Sequence, residues 1–387
     1  MKHWLLAALG SLFIGLAQAA AWPTPPEVDA KAYLLYDMKA NQVLASRDAD
    51  QPVEPASLTK LMAAYLVFDA LKNKRIALDQ TFTVSVRAWK MQGSRMFIEP
   101  NWQVPVEDLI KGMIIQSGND ATVALAEGVA GTVEQFVEMM NQQAKALGMT
   151  NTSYRNPEGM PAEGHITTAN DLAILASRLY RDFPEYVGYY AIQRYHYPGT
   201  PKANDMNRNL LLYRDPTVDG LKTGHTQAAG YCLVATARRA VPGAPGEERR
   251  LLSVVLGTRS ALARANESQK LLNWGYGAFR IARVPKDGDV LVKPPVWFGA
   301  ADVAELGVQG GMWVAAPQGA ATQLRTRLDY PKQLKAPLAA GATVGKVEVL
   351  WGDTNRVLGS SELQVVQEVP EAGIMKRLWH HLLLSLD

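Results

Sequence analysis

Between residues 58 and 68 the apolar side chains of Leu58, Leu61, Met62, Tyr65, Leu66 and Phe68 recur at short steps, with alanines between them. That spacing predicts a helix, and its density predicts one largely buried in protein. Pro55 suits the opening of this helix, which is expected to end near Asn73. Upstream, residues 32–36 and 42–46 predict two strands joined by a turn at Lys39-Ala40-Asn41. Downstream, residues 81–86 predict a short strand, and residues 92–97 a loop entering another. Four helices are expected next. The first, over 106–116, opens at Pro105 with Glu107 and Asp108 near its positive end. The second covers 120–130. The third starts at the capping-box spacing of Thr132 to Gln135 and closes at Gly148, and the fourth covers 168–181. Three strands follow at 221–225, 230–237 and 251–256, the last two joined through a loop over 238–250 that contains Pro242, Gly243, Pro245 and Gly246. A helix over 266–279 closes the region. Strands at both ends with helices between them predict an α+β fold, an antiparallel sheet beside a helical lobe.

From about residue 280 the texture changes. Short apolar segments at 290–292, 312–314, 346–350 and 363–366 lie between Gly, Pro and Asp turns, which predicts a small all-β domain. The tail differs again. At about 100° per residue, Ile374, Met375, Leu378, Trp379, Leu382, Leu383 and Leu386 fall on one half of a helix. Lys376, Arg377, His380 and His381 fall on the other, with Leu384 the exception. A basic amphipathic helix of this length suits lying in a membrane interface, and docking on the protein's own surface is the alternative. His380 and His381 are expected to face solvent and to hold no metal.

The first residues add a targeting signal: positive Lys2, an apolar core over 4–16, and Ala17-Gln18-Ala19, a small-x-small site cleaved near Ala19 or Ala21. The expected organisation is therefore a signal peptide over 1–19, a catalytic domain over 20–282, a small β-sandwich-like domain over 283–369 and an anchoring helix over 370–387. Of the 387 residues 48% are hydrophobic and 20% charged, as in a soluble globular protein. A net charge of +3 without a lysine/arginine run argues against nucleic acid as a partner. The lone cysteine, Cys232, allows no intramolecular disulfide and sits in a strand-like run as a small buried residue. Six scattered histidines predict no metal, and no cofactor is expected.

Candidate chemistry lies at Ser57 and Lys60. Three residues apart on a helix, they share a face, so the amine can reach the hydroxyl and act as its base where the surroundings favour the neutral form. A helix cap followed by a surface lysine would give the same pair. Two later stretches bear on that choice: Ser117-Gly118-Asn119 in a tight connection between two helices, and Lys222-Thr223-Gly224 on a strand.

In this order the three elements resemble those of the penicillin-recognising serine enzymes. The longer stretches Ser57-Leu58-Thr59-Lys60, Ser117-Gly118-Asn119-Asp120 and Asp219 through Thr226 resemble the low-molecular-mass penicillin-binding proteins that are D-alanyl-D-alanine carboxypeptidases. Asn207-Arg208-Asn209, Gly257-Thr258, Arg264 and Leu271 through Gly275 extend the likeness. The resemblance implies a β-lactamase/transpeptidase-like fold and an acyl-enzyme on Ser57 with Lys60 as base. It implies that Ser117, between Lys60 and Lys222, relays a proton to the leaving amine. Asn119 would bind the substrate backbone, Lys222 and Thr223 its carboxylate, and Gly224 would allow close approach. The backbone N–H groups of Ser57 and His225 would form the oxyanion hole. Arg208 and Arg264 are candidates for the substrate carboxylate, with a structural ion pair as the alternative for each, and the His225 side chain is either ligand-facing or merely positional. The implied partners are peptidoglycan stem peptides ending in D-Ala-D-Ala, β-lactam antibiotics and a membrane surface, with the enzyme exported to the periplasmic face of the cytoplasmic membrane. A class A β-lactamase fits less well: Gly118 replaces an aspartate, and Glu158 lacks the neighbours of a deacylating glutamate. A D,D-endopeptidase of the same fold would carry the same three elements. A non-catalytic penicillin-fold sensor would not need every catalytic residue, and all of them are present.

Overall fold

The structure, a computed structural model, describes residues 22–319, 323–352 and 356–384. The expected signal peptide lies outside the described residues, as does Leu386 of the tail. Strands β1 (Ala32–Asp37) and β2 (Gln42–Arg47) come first. A single turn of 3-10 helix (Ala56–Thr59) runs straight into α1 (Lys60–Lys72). Then come β3 (Thr81–Thr83), α2 (Val86–Trp89), β4 (Gln103–Pro105), α3 (Val106–Ile114), α4 (Asn119–Ala130), α5 (Val133–Leu147) and α6 (Ala169–Asp182). Strands β5 (Val218–Thr226), β6 (Gly230–Ala240) and β7 (Glu248–Thr258) and helix α7 (Ala261–Ala278) complete this part.

The sheet is antiparallel throughout, in the order β2-β1-β7-β6-β5, which leaves β5 on an edge. Helix α7 packs on β6 and β7 from one side, and α6 lies against β7 and β1. Helix α1 touches α3, α4, α5 and α6 and is buried nearly from end to end. This is why its apolar residues crowd every side and not one stripe. The α+β arrangement is the one expected.

Several boundaries differ, each for a local reason. The expected strand over 81–86 stops at Thr83, because the Ser85 side chain accepts from the Ala88 N–H and caps α2. No strand follows residues 92–97; the partner of β3 is β4, farther on. The loop over 238–250 shrinks to 241–247. Its arginines belong to the strands and have acidic partners there: Arg249 Nε lies 2.6 Å from Asp37, Arg250 Nη1 2.5 Å from Asp219 and Arg238 Nη1 3.0 Å from Glu248. Helix α7 starts earlier than residue 266 because Ser260 Oγ caps it, accepting from Ala263 N–H at 3.0 Å.

Beyond α7 come β8 (Phe279–Arg283), β9 (Val290–Val292), β10 (Val296–Trp297), β11 (Leu306–Gly307), β12 (Trp313–Pro317), β13 (Leu324–Asp329), β14 (Leu334–Lys335), β15 (Thr343–Trp351) and β16 (Arg356–Val365). Five of them form a sheet in the order β13-β15-β16-β11-β9, and β8 pairs with β12. The side chain of Gln42 exchanges two hydrogen bonds of 3.1 Å with the backbone of Ala315, tying this all-β part to the first hairpin.

The tail is helix α8 (Ile374–Leu384), and its polar half is not free. Lys376 Nζ lies 2.7 Å from Asp302, and Arg377 Nη1 2.5 Å from Glu371. Contrary to expectation, His380 does not simply face solvent: its Nδ1 accepts the Phe298 N–H at 2.7 Å, and its ring meets Trp297 edge-on. The apolar half faces outward, with Ile374 68%, Met375 82% and Trp379 58% exposed.

Candidate active site

The 3-10 turn fixes the geometry at Ser57. Winding tightens to three residues per turn over 56–59 and relaxes at Lys60, which stacks the lysine over the serine. Lys60 Nζ lies 3.0 Å from Ser57 Oγ, 2.8 Å from Asn119 Oδ1 and 2.6 Å from the Glu158 carbonyl oxygen. These three acceptors match the three donors of an ammonium group. Among the described residues no carboxylate stands within ion-pair distance of this amine. Burial lowers its pKa to about 7; the Arg208 charge also lowers it, and Glu158 and Asp120 act the other way. Near neutral pH a large share of Lys60 is therefore uncharged, with a lone pair facing the Ser57 hydroxyl.

Ser117 sits in the left-handed region at φ +58°, immediately before α4. A non-glycine residue holds that conformation only when its surroundings impose it, and such residues cluster at functional sites. Lys222 Nζ lies 2.9 Å from Ser117 Oγ and 3.0 Å from the Thr223 carbonyl. Burial first, then the charges of Lys60, Arg208 and Arg264, push its pKa well below the usual lysine value. Ser117 is hydrogen-bonded to Lys222 alone of the two lysines. Lys60 bonds Asn119 and makes no hydrogen bond to Ser117, so the site holds two serine–lysine pairs, Ser57–Lys60 and Ser117–Lys222, side by side.

Asn119 is already hydrogen-bonded on both atoms of its amide. Its Oδ1 is taken by Lys60, and its Nδ2 donates to the Gln92 carbonyl at 2.6 Å with Met160 Sδ 3.7 Å away. Here it holds the base and the loop before Ser94, and its second N–H meets only the weak thioether acceptor of Met160. Asp120, a residue to which sequence reasoning assigned no role, is wholly buried. Its carboxylate accepts the N–H groups of Met96 and Phe97 at 2.8 and 2.7 Å, pinning the same loop.

Gly224 is tightly packed within the protein itself. A Cβ there would stand 3.1 Å from the Pro55 carbonyl and 3.3 Å from Ala56 Cβ, so edge strand β5 lies directly on the turn that carries Ser57. The Thr223 hydroxyl makes no hydrogen bond among the described residues. His225 is exposed and stacks on Tyr231 with centroids 3.9 Å apart. Arg264 has no acidic partner among the described residues; it donates to the Gly224 carbonyl at 3.1 Å and the Arg208 carbonyl at 3.4 Å, and so braces β5 from behind. Arg208 is exposed, bonds Ser94 Oγ at 2.6 Å and has no carboxylate within ion-pair distance among the described residues.

Sequence reasoning also missed the loop over 153–166, closed at its base by the Ser153–Ile166 bridge. Its Glu158 carbonyl receives Lys60. At Gly159 (φ +90°) a Cβ would fall 1.9 Å from the Ala56 carbonyl oxygen. His165 ends the loop, with Nε2 2.8 Å from Thr59 Oγ1. The only sequence signal was the glycine after Glu158. A cleft of about 830 Å³ between the first hairpin and α6 touches none of these residues. Position on the edge strand, and not cavity size, marks the site. No group of three or more metal-ligating side chains occurs among the described residues.

Comparison with known proteins agrees with this geometry. The D-alanyl-D-alanine carboxypeptidase family matches residues 19–260, and the penicillin-binding protein 5 C-terminal domain matches residues 279–371. The chain is 39% identical to D-alanyl-D-alanine carboxypeptidase DacC of Escherichia coli, over 98% of this chain and 95% of that protein. It superposes on penicillin binding protein 5 of Haemophilus influenzae with a TM-score of 0.82 and 36% identity, covering 90% of this chain and 100% of that one. The ampicillin-bound form of penicillin-binding protein D2 of Listeria monocytogenes gives a TM-score of 0.58 at 29% identity over 66% of this chain and 100% of that one. A D-alanyl-D-alanine endopeptidase of Escherichia coli is 32% identical but spans only 56% of this chain and 69% of its own length. With the serine–lysine pairs gathered beside the edge strand β5 and both parts of the chain matched, the protein belongs to the D-alanyl-D-alanine carboxypeptidases.

Proposed function

We propose that the protein removes the terminal D-alanine from peptidoglycan stem pentapeptides through an acyl-enzyme on Ser57. The observation that carries this reading is the buried Lys60 amine on Ser57 Oγ, beside the edge strand that holds Lys222 and Thr223. Neutral Lys60 takes the hydroxyl proton as Oγ attacks the penultimate carbonyl. The backbone N–H groups of Ser57 and His225 would hold the oxyanion. The C–N bond then breaks, and Ser117, fed by Lys222, gives a proton to the departing amine. Water hydrolyses the ester and returns Ser57. The Thr223 hydroxyl and Arg208, which lacks an acidic partner among the described residues, suit the terminal carboxylate. Arg264, which donates to two backbone carbonyls, serves as a brace. A β-lactam carries the same carboxylate and a reactive amide, so it would acylate Ser57 in the substrate's place.

The exported enzyme would sit on the periplasmic face of the cytoplasmic membrane, held by the outward apolar half of α8. No helix among the described residues is long and apolar enough to cross a membrane, so contact would be interfacial. The division into 1–19, 20–282, 283–369 and 370–387 stands as part of this proposal. Carboxypeptidase is favoured over endopeptidase because the carboxypeptidase relatives span the β domain and tail and the endopeptidase does not. The test is incubation with a stem pentapeptide and with a cross-linked dimer. Release of D-alanine from the pentapeptide supports the reading, and cleavage of the dimer alone refutes it.

A further inference from the structure

His165 lies in the loop over 153–166, outside the three sequence elements that carry the chemistry, and it is 2% exposed. Its Nδ1 accepts the Arg155 N–H at 2.9 Å, which leaves the ring proton on Nε2. Nε2 then donates to Thr59 Oγ1 at 2.8 Å. The threonine hydrogen goes to the Ala56 carbonyl at 2.8 Å. Every donor in this relay has one acceptor, so its direction is fixed. It ends on the residue before the nucleophile, and that residue is held at φ +48°. A free chain would leave such a conformation. The loop presses on the same carbonyl from another side, through Gly159, and supplies the Glu158 carbonyl to Lys60. Burial, with a smaller contribution from Arg155, lowers the His165 pKa to about 4, so at neutral pH the ring keeps one donor and one acceptor.

We propose that His165 is a positioning residue for acylation: through Thr59 it fixes the strained Ala56 turn and so sets Ser57 Oγ against Lys60. The inference rests on Ser57 being the acylated residue. A histidine that only filled space would affect stability alone, whereas one that aims Ser57 sets the rate of the chemical step in a fully folded protein. A shift of about 1 Å in a reacting atom costs on the order of 10²-fold in rate.

The experiment measures penicillin acylation rate, non-covalent affinity and melting temperature for Thr59→Val, Thr59→Ser, His165→Gln and His165→Ala, each below its own melting transition. Thr59→Val keeps the shape and removes the link, so it tests the idea even where His165→Ala does not fold. The expected result is acylation slower by at least about tenfold in Thr59→Val and His165→Ala, with affinity little changed. Thr59→Ser and His165→Gln, which keep a hydroxyl or a donor, should recover most of the rate. A folded Thr59→Val that acylates at the native rate overturns the proposal, even if its melting temperature has dropped. Ser57→Ala serves as the control. If it is still labelled, the nucleophile assignment has failed and the inference with it. If it is unlabelled while Thr59→Val acylates normally, only the positioning role has failed.

Discussion

Lys60 Nζ stands 3.0 Å from Ser57 Oγ in a site that keeps the amine 1% exposed. The neutral form is the one that can take a proton, and a pKa of about 7 keeps it well populated near neutral pH. Acylation should therefore slow by about tenfold per pH unit below 7 and level off above it. A lysine whose folded pKa lies below its unfolded value of 10.5 also makes the protein more stable as pH rises from about 7 towards 10.5. Lys60→Arg keeps a cation that does not give up its proton, and it should lose about 10²-fold or more in acylation rate. Stopped-flow acylation of the native protein and Lys60→Arg between pH 5 and 9 checks the two rate statements, denaturant melts between pH 7 and 10 check the stability one, and a flat native rate profile contradicts the role of Lys60 as base.

The second pair predicts a separate defect. Ser117 receives Lys222 at 2.9 Å and is out of hydrogen-bond contact with Lys60. Ser117→Ala should lower turnover of a pentapeptide by about 10²-fold or more, because the leaving amine loses its proton source. Steady-state release of D-alanine is the measurement. Turnover within a factor of about two of the native enzyme would remove Ser117 from the reaction.

Gly159 and Gly277 make a matched pair. A Cβ at Gly159 meets the Ala56 carbonyl at 1.9 Å, whereas one at Gly277 in α7 meets nothing within 4 Å. Gly159→Ala should cost more than about 1 kcal/mol of stability and slow acylation. Gly277→Ala should leave acylation unchanged and raise stability by up to about 1 kcal/mol. Denaturant melts together with acylation rates decide the matter.

For the tail, the engaged polar half changes what is expected of membrane binding. With Lys376 on Asp302 and Arg377 on Glu371, much of the positive charge is already paired. Attachment should depend more on Leu378, Trp379 and their apolar neighbours than on anionic lipid. The full-length mature protein should float with vesicles, and a form truncated after Val369 should not. Trp379→Glu should also stay with the soluble fraction. Equal flotation of full-length and truncated protein would mean that α8 is not the anchor.

Much of this was legible in the sequence because its signals are local. Helical spacing placed α1, a capping-box spacing placed the start of α5, and three short stretches marked both serines and both lysines. What stayed hidden depends on contacts distant in sequence. Nothing near Arg249 says that Asp37 will pair with it 212 residues away, so the strand ends read as loop. His165 looks like a lone histidine until folding sets it against Thr59. No local pattern shows that Asn119 will also hold Lys60 and Gln92. Nor does anything near Gly224 in the sequence show that the Ser57 turn packs against it.

The central claim is that Ser57 carries the acyl group. The mature protein is treated with penicillin and digested, and the modified peptide is located by mass spectrometry. The account predicts one adduct, on the peptide containing Ser57, absent from Ser57→Ala while that variant keeps its melting transition. An adduct on Ser117, or full labelling of Ser57→Ala, would contradict it.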